Sequence, residues 1–321
     1  MIQRKSSSAP PIDPMVVLRA PAKINLFLRV FWLRDDGYHE IFSSLVRLSL
    51  ADEIILTPTL DPLDQLTYEL SYDRPFGSLA AHVGEPLDKE FDDHFKASQP
   101  DPGFEADNLA LKALRALRAK KSTLGYFRVF IRKNIPIAAG LGGGSSDAAA
   151  ILSYFGPRLG LSDQALKDLA LSLGSDIPFF LGPKFALATG RGEILSPCKG
   201  DLPKRVLLIT PKTPLATGQV FRELALTKEA DKNNLEPTRR PRLEFEVLGV
   251  NDLLAPARRL LPEIGAIEAA LANLGAEIYG LSGSGPTFFA LFRTKDEVNQ
   301  AYESLKKQPW RLIQTTLDIE A

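Results

Sequence analysis

The residues best suited to chemistry form a glycine-rich stretch near the middle of the chain. Four glycines lie between Gly140 and Gly144, and three polar residues follow where an alanine-rich helix pattern begins: Ser145, Ser146 and Asp147. Glycine lets a backbone adopt positive φ and approach a ligand closely, and serine and aspartate often cap helices. The N–H groups and the positive dipole end of such a helix favour a polyphosphate. The stretch therefore predicts a phosphate-binding loop.

Two commoner glycine-rich loops do not match this stretch. A Walker A loop ends in Gly-Lys-Ser/Thr, whereas Gly144 is followed directly by Ser145 and the loop contains no lysine. The Rossmann fingerprint needs glycine or alanine at its third place, whereas Gly140 and Gly142 are followed by Ser145 there. A plain turn between a strand and a helix needs only one or two glycines, so phosphate binding is favoured over a turn.

Residues 136–146 resemble the ATP-binding loop of the GHMP kinases, which phosphorylate small alcohols. The resemblance implies that ATP is bound by Pro136, Ile137, Ala138, Ala139, Gly140, Leu141, Gly142, Gly143, Gly144, Ser145 and Ser146. It also implies that Mg²⁺, which bridges the phosphate oxygens, lies near the hydroxyl of Ser145 or Ser146. An Asn-Leu pair in the family lies near the nucleotide base, which suggests Asn108; helix capping alone explains Asn108 equally well.

Two polar segments near the N-terminus resemble the first signature of one GHMP branch. Residues 20–28 contain Lys23 and Asn25, and residues 36–40 contain Tyr38 and His39. Taken alone, Lys23 is typical of a surface lysine at a strand edge, and His39 of a half-buried histidine held by hydrogen bonds. Together with the glycine-rich loop, the two segments favour a functional role for both residues.

Asp176 lies in residues 174–180, which resemble the acidic motif of the same family. The resemblance implies that Asp176 is the catalytic base. Because it stands two residues before Pro178, it is also suited to cap a short helix, and both roles can coexist. In the family, the residue matching Lys23 lies between this aspartate and the γ-phosphate, where its charge keeps the aspartate ionised and stabilises the transition state.

The GHMP branch in question phosphorylates a small-molecule alcohol that carries a cytidine diphosphate group. The resemblance implies that this substrate is bound by Asn25, Tyr38, His39, Thr217 and Phe221. Of these, Tyr38 and His39 would contact the cytosine, and Asn25 would lie close to the sugar alcohol. Residues 281–287 match the C-terminal glycine motif of the family, although a flexible hairpin turn is an equally simple explanation.

Composition limits the other classes of function. The chain has 321 residues and is 45% hydrophobic, which is enough for two domains with sizeable cores. Lysine plus arginine (39) equals aspartate plus glutamate (39), so no overall charge favours nucleic acid or an anionic membrane. The single cysteine, Cys198, and the lack of a long apolar run favour a cytoplasmic protein. Both a monomer and a homodimer are compatible with the sequence.

These observations predict an α+β fold with the two-domain GHMP kinase architecture. We expect a disordered tail at 1–15, an N-terminal ATP-binding domain at 16–185 and a C-terminal ferredoxin-like domain at 186–321. Segment 60–104 is longer than expected for the family and predicts loop with one strand and a short helix.

Hydrophobic periodicity and turn residues predict the individual elements. Strands are expected at 16–32, 45–57, 126–132, 205–210, 277–281, 287–292 and 310–317. Helices are expected at 109–118, 146–155, 163–173, 262–274 and 294–307, and further helices after Thr217 and Asn251. The last third thus approximates a β-α-β-β-α-β order.

Two alternative functions stay open at this point. Another GHMP kinase, acting on mevalonate, a mevalonate phosphate or homoserine, would share the glycine-rich loop but should lack residues 36–39 beside Lys23. A non-catalytic nucleotide-binding module would keep the loop and lose the base. The presence of both Lys23 and Asp176 argues against the second alternative.

Overall fold

The structure is a computed structural model that describes residues 15–71, 108–227 and 247–319. Most of the predicted tail and most of segment 60–104, with its predicted short helix, lie outside these residues. The described residues belong to two compact units. The first unit comprises 15–20, 52–71, 108–134 and 144–181, and the second comprises 21–51, 135–143, 182–227 and 247–319. The domain boundary between residues 185 and 186 stays a prediction.

Strands and helices follow the order expected from the sequence. The strands are β1 Val16–Leu33, β2 His39–Thr59, β3 Gln65–Leu70, β4 Tyr126–Lys133, β5 Phe185–Thr189, β6 Ile194–Pro197, β7 Arg205–Thr210, β8 Ile278–Leu281, β9 Phe288–Phe292 and β10 Arg311–Thr316. The helices are α1 Leu109–Lys120, α2 Gly143–Arg158, α3 Asp163–Leu173, α4 Ile177–Leu181, α5 Thr217–Thr227, α6 Leu254–Leu260, α7 Glu263–Leu271 and α8 Lys295–Leu305. Among the described residues, no helix is both long and apolar enough to cross a bilayer.

Strands β1 and β2 pair with each other and are joined by a tight turn. The N–H of Arg34 donates to the carbonyl of Tyr38 at 2.7 Å, and Gly37 has a φ of 80° that glycine adopts without strain. Strand pairing therefore resumes at His39, six residues before the predicted start at Leu45. The polar signature at 36–40 thus spans the turn and the start of β2.

The second unit contains a ferredoxin-like sheet. Its strands lie in the order β10-β7-β9-β8, and each neighbouring pair is antiparallel. With α5 to α7 between β7 and β8, and α8 between β9 and β10, this confirms the predicted split β-α-β-β-α-β pattern. Helix α8 begins with a capping box, since Thr294 and Glu297 satisfy each other's backbone N–H groups.

The packing of strand β9 explains why residues 21–51 belong to the second unit. All five of its residues are buried, and their side chains alternate between two hydrophobic clusters. Phe288 and Phe292 pack in the cluster that contains Ile264 of α7. Phe289 and Leu291 pack in the cluster that contains Ile24 of β1. A strand that is apolar on both faces needs cover on both faces, and β1 provides part of the second cover.

The first unit surrounds the second half of β2. Ile55 of β2 pairs with Phe130 of β4 in antiparallel register, and Thr67 of β3 pairs with the same residue in parallel register. Helix α1 buries an apolar stripe at every third or fourth position: Ala110, Leu111, Ala113, Leu114 and Leu117. The sequence predicts an amphipathic helix with apolar residues at 109, 111, 114 and 117, and the helix buries all of these except Leu109, which is half-buried.

Two helices differ from their predicted bounds by three residues at one end or both. Helix α2 begins at Gly143 rather than Ser146 and continues past Gly156 to Arg158, with Pro157 in its last turn. Proline is tolerated there because the one hydrogen bond that it removes would go to the carbonyl of Ser153, an exposed residue. Helix α7 ends at Leu271 rather than 274, since the N–H of Leu274 bonds the carbonyl three residues back and tightens the chain into 3₁₀ turns.

A buried ionic cluster holds the start of α2 in the first unit. Lys133, the last residue of β4, donates to Asp52 of β2 and to Asp147 of α2, the latter at 2.8 Å. All three side chains are at most 6% exposed. The backbone N–H of Asn134 donates to the second oxygen of Asp52 at 2.6 Å. The cluster therefore ties two strands to the N-terminal part of the helix.

The charges of this cluster depend on each other. Burial raises the pKa of Asp147 to about 7, and the neighbouring Asp52 adds to this effect while Lys133 opposes it. Burial alone would lower the pKa of Lys133, but the carboxylates of Asp147 and Asp52 outweigh it and raise that pKa. Removal of the lysine would therefore leave two carboxyl groups buried without their cation.

We predict that Lys133→Met lowers the free energy of unfolding by roughly 3–5 kcal/mol, because uncompensated buried charge is costly. Lys184→Met is the matched control, since Lys184 pairs with Asp318 at 2.9 Å but its side chain is 45% exposed. An exposed pair contributes less than about 1 kcal/mol. Urea denaturation of both variants measures the difference, and equal losses would show that the buried cluster does not stabilise the fold.

Candidate functional site

The glycine-rich loop joins β4 to α2 and has the backbone expected of a ligand-binding loop. Gly140 and Gly142 have φ of 75° and 71°, and Ala138 has a φ of 53°, which is uncommon for a residue with a side chain. Ile137 and Ala138 are exposed, whereas Pro136 is buried. Left-handed residues spaced along a loop create concavities lined by N–H groups, which bind anions.

Gly140 lies directly against residues 282–286, which we call the C-terminal glycine turn. A Cβ on Gly140 would lie 2.3 Å from the carbonyl oxygen of Ser282 and 2.9 Å from that of Gly285, which is closer than real Cβ atoms approach. The hydroxyl of Ser282 also donates to the carbonyl of Gly140 at 3.0 Å. The turn therefore fixes the loop by backbone contact, and only glycine fits at position 140.

Lys23 and Asn25 lie beside the same contact within the second unit. Lys23 is 4% exposed and Asn25 is 5% exposed, so neither is the surface residue that a strand edge would carry. The ammonium of Lys23 donates to Oδ1 of Asn25 at 2.7 Å. The backbone N–H of Lys23 donates to the carbonyl of Leu141 at 2.9 Å, so β1 is bonded directly to the glycine-rich loop.

The C-terminal glycine turn completes this part of the site. A Cβ on Gly283 would lie 3.4 Å from Oδ1 of Asn25 and 3.5 Å from Nζ of Lys23. Asn25 contributes a further link, because its N–H donates to the hydroxyl of Ser282 at 3.4 Å. Loop, strand and turn thus bring together one cation, one amide and several backbone dipoles, an arrangement that stabilises developing negative charge.

The polar residues after the glycines do not cap α2, contrary to the sequence-based prediction. Because the helix begins at Gly143, Ser145 and Ser146 lie inside the helix, and Asp147, just past the first turn, bonds Lys133 instead. The hydroxyl of Ser146 is buried and has no hydrogen-bond partner among the described residues. A buried hydroxyl without a partner at a helix start suits a phosphate oxygen or a Mg²⁺ ion. Ser146 therefore fits the predicted metal better than half-exposed Ser145 does.

Two further predicted residues lie in the first unit. Asn108 caps α1, since its Oδ1 accepts from the N–H groups of Ala110 and Leu111 at 2.9 and 3.3 Å. Asp176 is half-buried and immediately precedes α4. Helix capping thus accounts for both hydrogen bonds of the Asn108 side-chain oxygen. The catalytic role of Asp176 stays a prediction.

One pair of the predicted substrate residues is in ring contact in the second unit, and two others have partners that were not predicted. The rings of His39 and Phe221 lie 5.4 Å apart, although the two residues are far apart in sequence. The hydroxyl of Thr217 lies 2.8 Å from that of Ser284 in the C-terminal glycine turn. Tyr38 is 48% exposed, and its ring lies 4.4 Å from the guanidinium of Arg191.

Sequence reasoning missed several side chains that hold this arrangement. Ser43 accepts from the Asn25 amide at 2.8 Å, and Ser282 bonds the glycine-rich loop. Arg191 covers Tyr38 from the hairpin between β5 and β6. One signal was available for Ser43, because two serines interrupt an otherwise apolar strand, and buried hydroxyls need partners.

We predict that Gly140→Ala lowers ATP affinity by roughly tenfold or more, because the loop must move away from the C-terminal glycine turn. Gly275→Ala is the matched control: its φ of 70° resembles that of Gly140, but no atom lies within 4 Å of the added Cβ. The control should lose only about 1–2 kcal/mol of stability. Titration calorimetry with ATP measures both, and unchanged affinity in Gly140→Ala would contradict the prediction.

Comparison with known proteins agrees with this geometry. Two family models match the chain, the GHMP kinases N terminal domain at residues 108–182 and the GHMP kinases C terminal at residues 226–311. A 4-diphosphocytidyl-2-C-methyl-D-erythritol kinase from Anaeromyxobacter is 36% identical over 90% of this chain and 86% of its own length. The Geobacter metallireducens kinase of the same name is 34% identical over 90% of this chain and 94% of its own length.

Solved structures give the same result. A crystal structure of 4-(cytidine 5'-diphospho)-2C-methyl-D-erythritol kinase is 30% identical and has a TM-score of 0.66, covering 95% of this chain and 100% of the other. The L. major mevalonate kinase has a TM-score of 0.65 at 14% identity, covering 98% of this chain and 100% of the other, and it supports the fold alone. The chain therefore belongs to the 4-diphosphocytidyl-2-C-methyl-D-erythritol kinases, within the GHMP kinases.

Proposed function

We propose that this chain transfers the γ-phosphoryl group of ATP to the 2-hydroxyl of 4-diphosphocytidyl-2-C-methyl-D-erythritol. This reaction belongs to the methylerythritol phosphate route to isoprenoid precursors. The observation that carries the proposal is the bonded set of Lys23, Asn25 and the glycine-rich loop, in which a buried lysine lies beside the backbone that is expected to bind phosphate. Membership of the family supports the identity of the substrate.

The glycine-rich loop and the start of α2 would hold the phosphates of ATP. The supporting observations are the left-handed glycines at 140 and 142 and the N–H groups in the first turn of the helix. Mg²⁺ would neutralise phosphate charge and be held by the hydroxyl of Ser146, with Ser145 as a second candidate. Asn108 would lie near the base, where its cap keeps the start of α1 rigid.

Asp176 would act as the catalytic base and Lys23 as the residue that stabilises charge. Asp176 accepts the proton of the 2-hydroxyl, and the alcohol oxygen forms a bond to the γ-phosphorus. The bond from that phosphorus to the bridging oxygen breaks, and ADP leaves. Phosphoryl transfer relies on positioning and electrostatics, so a fixed ammonium such as that of Lys23 has a direct effect on rate.

The cytidyl group would be bound in the second unit by Tyr38, His39, Thr217 and Phe221, with Asn25 near the alcohol. The ring contact between His39 and Phe221 supports an aromatic surface for the base. The exposed ring of Tyr38 supports a further stacking surface. Binding energy from this remote group lets the enzyme position the reacting hydroxyl.

The proposal also covers the location, the oligomeric state and the domain division of the protein. The single cysteine of the chain supports a cytoplasmic location. The functional unit is a monomer or a homodimer. The ATP-binding and C-terminal domains occupy residues 16–185 and 186–321, a division supported by the ferredoxin-like order of the last strands.

We predict that an assay for ADP formation gives turnover with the cytidyl alcohol and much less with two analogues. Methylerythritol phosphate, without the cytidyl group, loses remote binding energy and should be a very poor substrate. A uridyl analogue should also be poorer, because polar groups matched to cytosine stay unpaired. Equal kcat/KM for the three alcohols would indicate a general GHMP kinase instead.

The same assay contains its own controls. Asp176→Ala and Lys23→Ala should each reduce turnover roughly a hundredfold or more while ATP still binds. Mevalonate and homoserine test the alternative substrates. A wild-type protein that binds ATP but phosphorylates none of these alcohols in the presence of Mg²⁺ would be a non-catalytic nucleotide-binding module.

A further inference from the structure

Ser43 lies near the start of β2, and its hydroxyl contacts the side chain of Asn25. The residue is 0% exposed. Its Oγ lies 2.6 Å from the carbonyl oxygen of Phe27 and 2.8 Å from the amide nitrogen of Asn25. All three residues belong to the second unit. The hydroxyl therefore joins β1 and β2 behind the pair formed by Lys23 and Asn25.

The direction of these hydrogen bonds follows from the single proton of the hydroxyl. A carbonyl oxygen only accepts, so the short contact with Phe27 requires Ser43 to donate its proton there. Towards Asn25 the same hydroxyl can then only accept. The amide must consequently present its nitrogen to Ser43, which turns its oxygen towards the ammonium of Lys23 at 2.7 Å.

We propose that Ser43 is a positioning residue for phosphoryl transfer: it fixes the Asn25 amide so that the oxygen of that amide holds the ammonium of Lys23. The inference rests on the proposed function, in which Lys23 stabilises the transferred charge. Without the hydroxyl, the amide is free to rotate, and rotation brings its NH₂ group against the ammonium. Two donors then face each other, and Lys23 loses the contact that holds it in place.

Ser44 provides a matched control. It follows Ser43 on β2 and is equally buried, at 0% exposure, but successive residues of a strand face opposite sides. Its Oγ has no hydrogen-bond partner among the described residues. Ser43→Ala and Ser44→Ala therefore remove the same atom from the same strand at the same depth, and only the first removes the contact with Asn25.

The test measures kcat, the KM for ATP and thermal unfolding of these variants. We expect Ser43→Ala to reduce kcat by roughly ten- to hundredfold, the range seen when a group that orients a functional side chain is removed. The KM for ATP should stay within about twofold, because Ser43 does not contact the loop, and Ser44→Ala should match the wild type. Ser43→Thr keeps the hydroxyl and should restore kcat.

A double-mutant cycle separates positioning from a general effect on the strand. If Ser43 acts through Asn25, Ser43→Ala should change kcat by less than about twofold when Asn25→Ala is already present. Any of three results would overturn the inference. These are an equal fold-reduction of kcat by Ser43→Ala with and without Asn25→Ala, wild-type kcat in Ser43→Ala, and an equal reduction of kcat in Ser44→Ala. If Ser43→Ala does not fold, Ser43→Cys replaces it, since a thiol is a weak donor and acceptor, and wild-type kcat there would overturn it too.

A readout without turnover distinguishes this inference from the proposed function. Proton–nitrogen NMR of protein labelled on asparagine follows the side-chain amide of Asn25. Its protons should exchange slowly in the wild type and in Ser44→Ala, and faster in Ser43→Ala. Slow exchange in Ser43→Ala overturns the inference whatever the activity. The expected exchange rates could be observed in a protein that does not phosphorylate the cytidyl alcohol. That result would refute the proposed function, but it would still establish that Ser43 orients the amide of Asn25.

Discussion

The contact between Gly140 and the C-terminal glycine turn is the constraint on which the site depends. It joins two backbones with no space for a side chain, and the bond from Ser282 to Gly140 spans 142 positions of sequence. The loop therefore acquires its shape only when the ferredoxin-like sheet has formed, because β8 and β9 hold the turn on either side. The proposed phosphate binding by this loop would consequently be coupled to folding of the second unit.

Buried polar groups connect this constraint to the proposed catalysis. Lys23, Asn25 and Ser43 are each at most 5% exposed, so each of their polar atoms needs a hydrogen-bond partner of the right kind. A side chain whose partners are all fixed has one orientation, and an ammonium with one orientation needs no rearrangement when charge develops near it. The cost of burying these groups is offset by the clusters that surround β7 and β9.

Local sequence patterns were sufficient for most elements. The apolar period of α1, the glycine that ends α3 and the capping box of α8 each involve residues within one or two turns of each other. The start of α2 was wrong by three residues because Asp147 bonds Lys133 rather than the helix N-terminus. The bond between Asp147 and Lys133 depends on where the end of β4 lies in the folded chain, which no local sequence pattern predicts.

The difference between local sequence patterns and tertiary contacts also applies to the site. The glycine-rich loop and the segment with Lys23 were recognisable because their residue types are unusual for a loop and a strand. The roles of Ser43 and Ser282 were not, since a serine in a strand or a turn is ordinary until its partners are known. The ring contact between His39 and Phe221 likewise arises from tertiary packing alone.

The most direct test of the account is phosphorus NMR of a reaction that contains the purified protein, ATP, Mg²⁺ and the cytidyl alcohol. We expect one new phosphomonoester signal that grows as ATP is converted to ADP, while both signals of the substrate's diphosphate persist. Such a spectrum means that the γ-phosphoryl group has moved to an alcohol oxygen. Release of inorganic phosphate without a phosphomonoester, or loss of the diphosphate signals, would contradict it.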